Sequence, residues 1–288
     1  MSEPTIQEIF DRFRAFPGDA SLYYRPLEGG DPVAGGDPVA GSDPVAGSDP
    51  VAGSDPVAIN ADMPLIAASV IKIPVMIEAF RQFEAGLLSP DMAVTVRPEH
   101  RMPSCGALAY MHDNLTVTAM DCVTLMIILS DNTATNLMID MLGIENINST
   151  LAALGCVQTR IARKLFDREG MKRGLKNFIT AREIGMLLEK IYRGEAVSPA
   201  ASETMLEILK NQRLNGKIPF FLHRLGVKIA HKTGEEDGIS HDAAIVFADR
   251  PFSMVALSNN VDVPMYERLI QDAALALYRQ NITEVLQK

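Results

Sequence analysis

The sequence predicts a mixed α/β fold of the α+β kind: an antiparallel sheet contributed by both chain ends and flanked by terminal helices, with an all-helical unit inserted between. Two changes of period carry that prediction. Strand-like runs occupy residues 21–27, 59–66, 227–232, 243–247 and 254–257, whereas most of residues 67–204 repeats with helical spacing. The last three strand runs have short connections, one of them around Asp249-Arg250-Pro251, and short connections imply an antiparallel meander. The expected division is residues 1–66 with 205–288 as the sheet domain and 67–204 as the all-α domain.

Along the chain, Ile6, Ile9, Phe10, Phe13 and Phe16 are spaced for an amphipathic helix, interrupted by Glu8, Asp11, Arg12 and Arg14. This pattern has no apolar signal-peptide core, and no run reaches the length of a membrane span. The expectation from the chain as it stands is a cytoplasmic protein with no membrane partner. Residues 29–58 are five tandem hexads, GGDPVA twice and GSDPVA three times. Asp-Pro and Gly-Gly or Gly-Ser junctions favour turns, and one valine per hexad buries too little to order thirty residues. The segment reads as a mobile insertion, an overgrown hairpin loop between the first two strand runs. A short solenoid or partner-binding arm is the other reading of the same repeat.

After the hexads, Ser69 is expected to open a helix that reaches about Ala85 and stops at Gly86, with Pro74 near its start. Thr118 and Asp121 have the spacing of a capping box for a helix that is apolar nearly all round from 123 to 129 and must therefore be buried. Ser130-Asp131-Asn132 is placed on the connection to a helix over 133–142, capped by Gly143. A final helix spans 265–278.

Of the 288 residues, 47% are hydrophobic and 22% charged, enough apolar content for a globular core. A formal charge of -9 without any basic run excludes a nucleic-acid footprint. Three cysteines cannot all pair within one chain. Cys122 and Cys156 sit among apolar neighbours and read as small buried hydrophobes, while Cys105 is either a reactive thiol on a rim or a plain small residue, the plainer reading being preferred. Neither cysteines nor histidines show ligand spacing, so no metal and no cofactor is expected.

The chemistry lies in three triplets in a fixed order. Ser69-Val70-Ile71-Lys72 puts a hydroxyl and an amine on one helix face, and Ser69 at a helix start offers its own N–H to a developing oxyanion. Lys72 can serve as base only where burial and a second cation depress it, and Lys232 is the candidate for that cation. In Ser130-Asp131-Asn132 the serine can pass a proton to a leaving nitrogen and the asparagine can bind both Lys72 and a substrate carbonyl. Asp131 is expected to cap the following helix. Lys232-Thr233-Gly234 supplies a cation, a hydroxyl and a close backbone approach for a substrate carboxylate, and the next N–H, that of Glu235, would complete the oxyanion site. The Glu235 carboxylate would repel anionic substrates unless it points away.

These triplets, with Gly106-Ala107-Leu108 and Thr133-Ala134-Thr135-Asn136, closely resemble the class A β-lactamase-like serine hydrolases from about Leu65 to the C-terminus. The resemblance implies a β-lactamase/transpeptidase-like fold, acylation of Ser69, and recognition of a small-molecule or peptide substrate of the β-lactam or D-Ala-D-Ala kind. Members are often exported, which the cytoplasmic expectation does not match. One departure bears on turnover: class A β-lactamases carry a Glu-x-x-x-Asn loop whose glutamate activates the deacylating water, and Leu165 falls about there. The nearby carboxylates, Asp167 and Glu169, are candidate substitutes, but a one-residue offset moves a carboxylate by about 3 Å. Slow deacylation is therefore expected. A true β-lactamase using Asp167 or Glu169, a D-Ala-D-Ala peptidase, esterase or amidase, a serine glutaminase, and a receptor trapping a β-lactam or peptide remain alternatives.

Overall fold

The computed structural model describes residues 4–27 and 56–282, so the hexads lie outside the described residues apart from Pro56-Val57-Ala58. Helix α1 (Ile6–Arg14) leads into β1 (Asp19–Pro26), and the chain returns as β2 (Val57–Ile59) and β3 (Leu65–Ile66). The middle of the chain runs through α2 (Lys72–Glu84), β4 (Ala93–Val96), β5 (Leu115–Thr118), α3 (Ala119–Ile128), α4 (Asn132–Leu142), α5 (Ile144–Ala153), α6 (Arg168–Lys172), β6 (Phe178–Ile179), α7 (Ala181–Tyr192) and α8 (Pro199–Lys210). Short α9 (Pro219–Leu222) precedes β7 (Lys228–Glu236), β8 (Ile239–Phe247), β9 (Phe252–Asn259) and α10 (Val263–Gln280).

Both chain ends do build one sheet. Its order is β2-β1-β9-β8-β7, and every neighbouring pair is antiparallel. The predicted hairpin of β1 with the chain after the hexads is present, with Leu22 opposite Ile59 and Tyr24 opposite Val57. Its second strand differs from the expected 59–66. Val57 and Ala58 of the last hexad pair with β1, and the chain then turns at Asn60, whose φ of 50° is one that asparagine tolerates. Pro64 lacks a donor for a continued ladder, and Leu65–Ile66 pairs instead with β6.

Alternation along the strands feeds two apolar layers. Leu22, Tyr24, Ala244 and Val246 face α1 and α10, while Tyr23, Ala243 and Ile245 belong to the core shared with α2, α3, α7 and α8. The helical unit thus continues directly into one face of the sheet. Tyr266 of α10, fully buried, donates its hydroxyl to Leu257 O at 2.7 Å and packs edge-on against Phe13 and Phe16. Caps end the helices where the sequence places them: Thr118 and Asp121 form the capping box of α3, and Asp131 accepts from Ala134 N at 2.9 Å to cap α4.

α7 meets β1 where Gly185 lies on the Tyr23 ring. A Cβ at Gly185 would stand 2.3 Å from Tyr23 Cδ1, and that ring cannot swing aside while its hydroxyl donates to Glu189 Oε1 at 2.9 Å. Gly185→Ala is expected to lower unfolding free energy by about 1–3 kcal/mol despite alanine's better helix propensity, as read from urea denaturation.

Candidate active site

The approach to Ser69 is tighter than the predicted helix start. Ala68 has φ of 40°, residues Ala68–Ile71 form a 3-10 turn, and α2 begins only at Lys72. Pro74 explains the difference, since it has no N–H to bond the carbonyl of Val70 and an α-helical first turn would be one bond short. The turn is held from outside. Ile66 N donates to Asn259 Oδ1 at 3.0 Å, His241 Nε2 bonds Ile66 O at 2.8 Å, and Ala67 N donates to Asn177 O at 3.0 Å. Gly234 of β7 lies directly against it: a Cβ there would come within 3.1 Å of Ser69 N and 3.2 Å of Ala68 Cβ. Strand β7 can lie beside the Ser69 amide because that position has no side chain.

Lys72 is fully buried at the meeting point of these segments. Its Nζ lies 3.0 Å from Ser69 Oγ, 2.8 Å from Ser130 O, 3.0 Å from Ser130 Oγ and 2.9 Å from Asn132 Oδ1. Asn132 Nδ2 donates to Pro103 O at 3.0 Å, which turns Oδ1 toward the lysine. Two of the four neighbours, the Ser130 carbonyl and Asn132 Oδ1, can only accept. They take both N–H bonds of a neutral amine and leave its lone pair for a hydroxyl proton. Burial first, and then the charge of Lys232, hold Lys72 well below the ordinary lysine range.

Ser130 stands between two amines, since Lys232 Nζ lies 3.1 Å from its Oγ as well as 2.7 Å from Thr233 O. Its φ of 53° is an unusual backbone state. Asp131 fixes it, accepting from Ala107 N at 2.7 Å and Leu108 N at 2.8 Å while capping α4. Lys232 is also fully buried, and burial pushes it down to about 7, with Lys217 lowering and Asp242 raising it. The Glu235 carboxylate is bonded to the ammonium of Lys217, a residue almost wholly buried.

The loop after α5 places Leu165 against the site. Asn136 Oδ1 accepts from Leu165 N and Asn136 Nδ2 donates to Leu165 O, both at 2.9 Å. Leu165, Ser69, Cys105, Asn132 and Glu235 line one cleft of about 340 Å³. Asp167 and Glu169 do not line it. Asp167 caps α6 by accepting from Gly170 N at 2.9 Å, and Glu169 is an exposed partner of Lys172. Cys105 is exposed, Cys122 and Cys156 are buried, and burial pushes each of those two thiols up to about 12. Among the described residues no cluster of three or more His, Cys, Asp or Glu could hold a metal, and no helix is long and apolar enough to cross a membrane. A larger hollow of about 640 Å³ lies between α1, α9 and α10, lined by Phe221, Arg268 and Asp272 among others, and it contains no serine or cysteine nucleophile.

Sequence reasoning missed Lys217, His241, Asn136 and Asn177. Each acts across a long chain separation, and only Asn136, inside the motif-bearing stretch, lay next to a local signal. His241 has a measurable consequence. Burial pushes its imidazole from 6.5 down to about 4, and its neutral form accepts from Ser258 N while donating to Ile66 O. Below about pH 6.5 the unfolded chain takes a proton that the native state refuses, so this contribution falls with pH. The advantage of the native sequence over His241→Gln should shrink by about 3 kcal/mol between about pH 6.5 and pH 4, measured by urea unfolding at each pH.

The beta-lactamase enzyme family model matches residues 3–280. Among solved structures, a beta-lactamase from Sphaerobacter thermophilus superposes with a TM-score of 0.81 at 24% identity, over 96% of each chain. PBP-A superposes with a TM-score of 0.78 at 26% identity, over 97% of this chain and 98% of that one. A leucine-to-glutamate variant of PBP-A, described as an acyl-enzyme complex with penicillin G, matches equally at 0.78 and 26%, over 96% and 95%. No curated protein matches the sequence. With the family model covering nearly the whole chain, the chain belongs to the beta-lactamase enzyme family.

Proposed function

We propose that the protein is a serine hydrolase that β-lactams or related amides and esters acylate at Ser69, and that it releases the acyl group slowly. The observation that carries this reading is the dry, depressed Lys72 amine 3.0 Å from Ser69 Oγ. Ser69 Oγ attacks the carbonyl carbon and gives its proton to the Lys72 lone pair. The carbonyl oxygen, now negative, accepts from the N–H groups of Ser69 and Glu235. The proton passes from Lys72 through Ser130 Oγ to the leaving nitrogen or oxygen as the acyl bond breaks, since that hydroxyl touches both lysines. Asn132 and Thr233 hold the substrate, and Lys232 biases Ser130 electrostatically. The ester formed on Ser69 then waits for water.

Slow release rests on Leu165. The backbone of that residue is pinned beside the cleft by Asn136, yet its side chain can abstract no proton. The acyl-enzyme complex of the PBP-A leucine-to-glutamate variant with penicillin G supports the acylation reading for a chain of similar fold. A peptidase or esterase reaction fits the same apparatus.

With a chromogenic cephalosporin, about one equivalent of product should appear in a burst, and intact mass should show one adduct that Ser69→Ala abolishes. Leu165→Glu should raise steady-state turnover by about 100-fold. Sustained turnover by the native sequence that Asp167→Asn or Glu169→Gln removes would instead establish a β-lactamase using that carboxylate. Adduct formation with no turnover on any ester or amide would favour the receptor.

A further inference from the structure

The cleft beside Ser69 extends away from the leaving atom. In acylation that atom takes its proton from Ser130 Oγ, next to Lys232, and neither residue lines the cleft of about 340 Å³. The lining includes Ala68, Ser69 and Asn132 and continues to Phe166, Met171 and Asn177, so the space lies where the acyl group left on Ser69 must extend. Two large apolar side chains stand there with much of their surface in water: Phe166 is 45% exposed and Met171 55%. Among the described residues, neither belongs to an apolar core. Phe166 also has φ of 58°, a backbone state that is an outlier for a bulky side chain and is strained. Bonds on both sides impose it. Asn136 holds Leu165 N and O at 2.9 Å each, and Asp167 O accepts from Met171 N at 2.9 Å. The Phe166 ring stabilises no core to offset that strain.

We infer that Phe166, with Met171, is the specificity-determining surface of this cleft, and that it selects acyl groups bearing an aromatic or other bulky apolar substituent. The inference rests on the serine-acylation reading and narrows its substrate class. Charged residues of both signs share the lining, Arg163 and Lys176 with Glu235, Glu236 and Asp237, and they fix no charge for the acyl group. The apolar surface does fix a sign. Covering Phe166 and Met171 removes apolar area from water whichever way those charges lie. A small acyl group covers little of that area, and a polar one of full size gives up hydration to cover it.

6-Aminopenicillanic acid carrying a phenylacetyl, a tetrahydropyran-4-ylacetyl or an acetyl group keeps one ring and one carboxylate, so only the acyl substituent differs. Second-order rates of adduct formation, read by intact mass, should rank phenylacetyl first and acetyl last, with about tenfold between them. Phe166→Asn should cut that ratio to about twofold, because the ring's apolar face is gone. Asparagine tolerates positive φ, so the same variant should keep or raise the midpoint of urea unfolding, whereas loss of a structural ring would lower it. A ratio near one in the native sequence, a ratio that Phe166→Asn leaves unchanged, or a lowered midpoint would overturn the inference and leave acylation standing. Should none of the three probes form a Ser69 adduct, the acylation reading falls and the inference with it.

Discussion

The Lys72 amine joins three distant parts of the chain, and keeping it dry constrains how each of them folds. A buried ammonium loses several kcal/mol of hydration. A neutral amine loses far less, provided both N–H bonds find acceptors. Ser130 O, from the α3–α4 connection, and Asn132 Oδ1, from the first residue of α4, supply those acceptors, while the amine comes from α2 and the neighbouring cation from β7. The helical unit and the sheet must meet at this point for Lys72 to be satisfied. Packing and reactivity therefore have one cause, because the burial that closes the core is also what frees the lone pair.

Two backbone strains accompany this arrangement. Ala68 and Ser130, adjacent to or part of the reacting group, have positive φ without being glycine, and each such residue costs about 1–3 kcal/mol. Each is over-determined by bonds from elsewhere. The Ala68 turn is held by Asn259, His241 and Asn177, and the Ser130 turn by the three amides that Asp131 accepts. None of these partners need touch substrate. Their work is to present Ser69 and Ser130 to one lysine at the same time.

The triplets were legible because the spacing that chemistry requires is local: Ser69 and Lys72 share one helix face, and Ser130 and Asn132 flank one cap. The sheet was legible from its period, although β8 and β9 are longer than alternation alone suggests. Both faces of those strands are covered, so their apolar runs are nearly continuous and the ends are masked. Little in the sequence reveals β4, β5 and β6, whose two to four residues are defined only by their partners. Lys217 is illegible for a related reason. In sequence it is a lone lysine between a glycine and an isoleucine, and it becomes significant only when folding places it below Glu235.

Acylation and deacylation make different demands on such a scaffold. Acylation needs a nucleophile, base, relay and oxyanion donors from three segments, so its parts are tied into the core and cannot vary singly without leaving a buried polar group unpaired. Deacylation needs one carboxylate on one loop. That loop is anchored as firmly as the rest, by Asn136 at Leu165 and by Asn177 accepting from Ala162 N and Arg163 N. The anchoring persists although the residue it presents is a leucine. A position whose backbone is held by buried bonds while its side chain only lines a cleft can exchange leucine for a carboxylate at little cost to the fold, so under the proposed function that single side chain would set the lifetime of the acyl-enzyme.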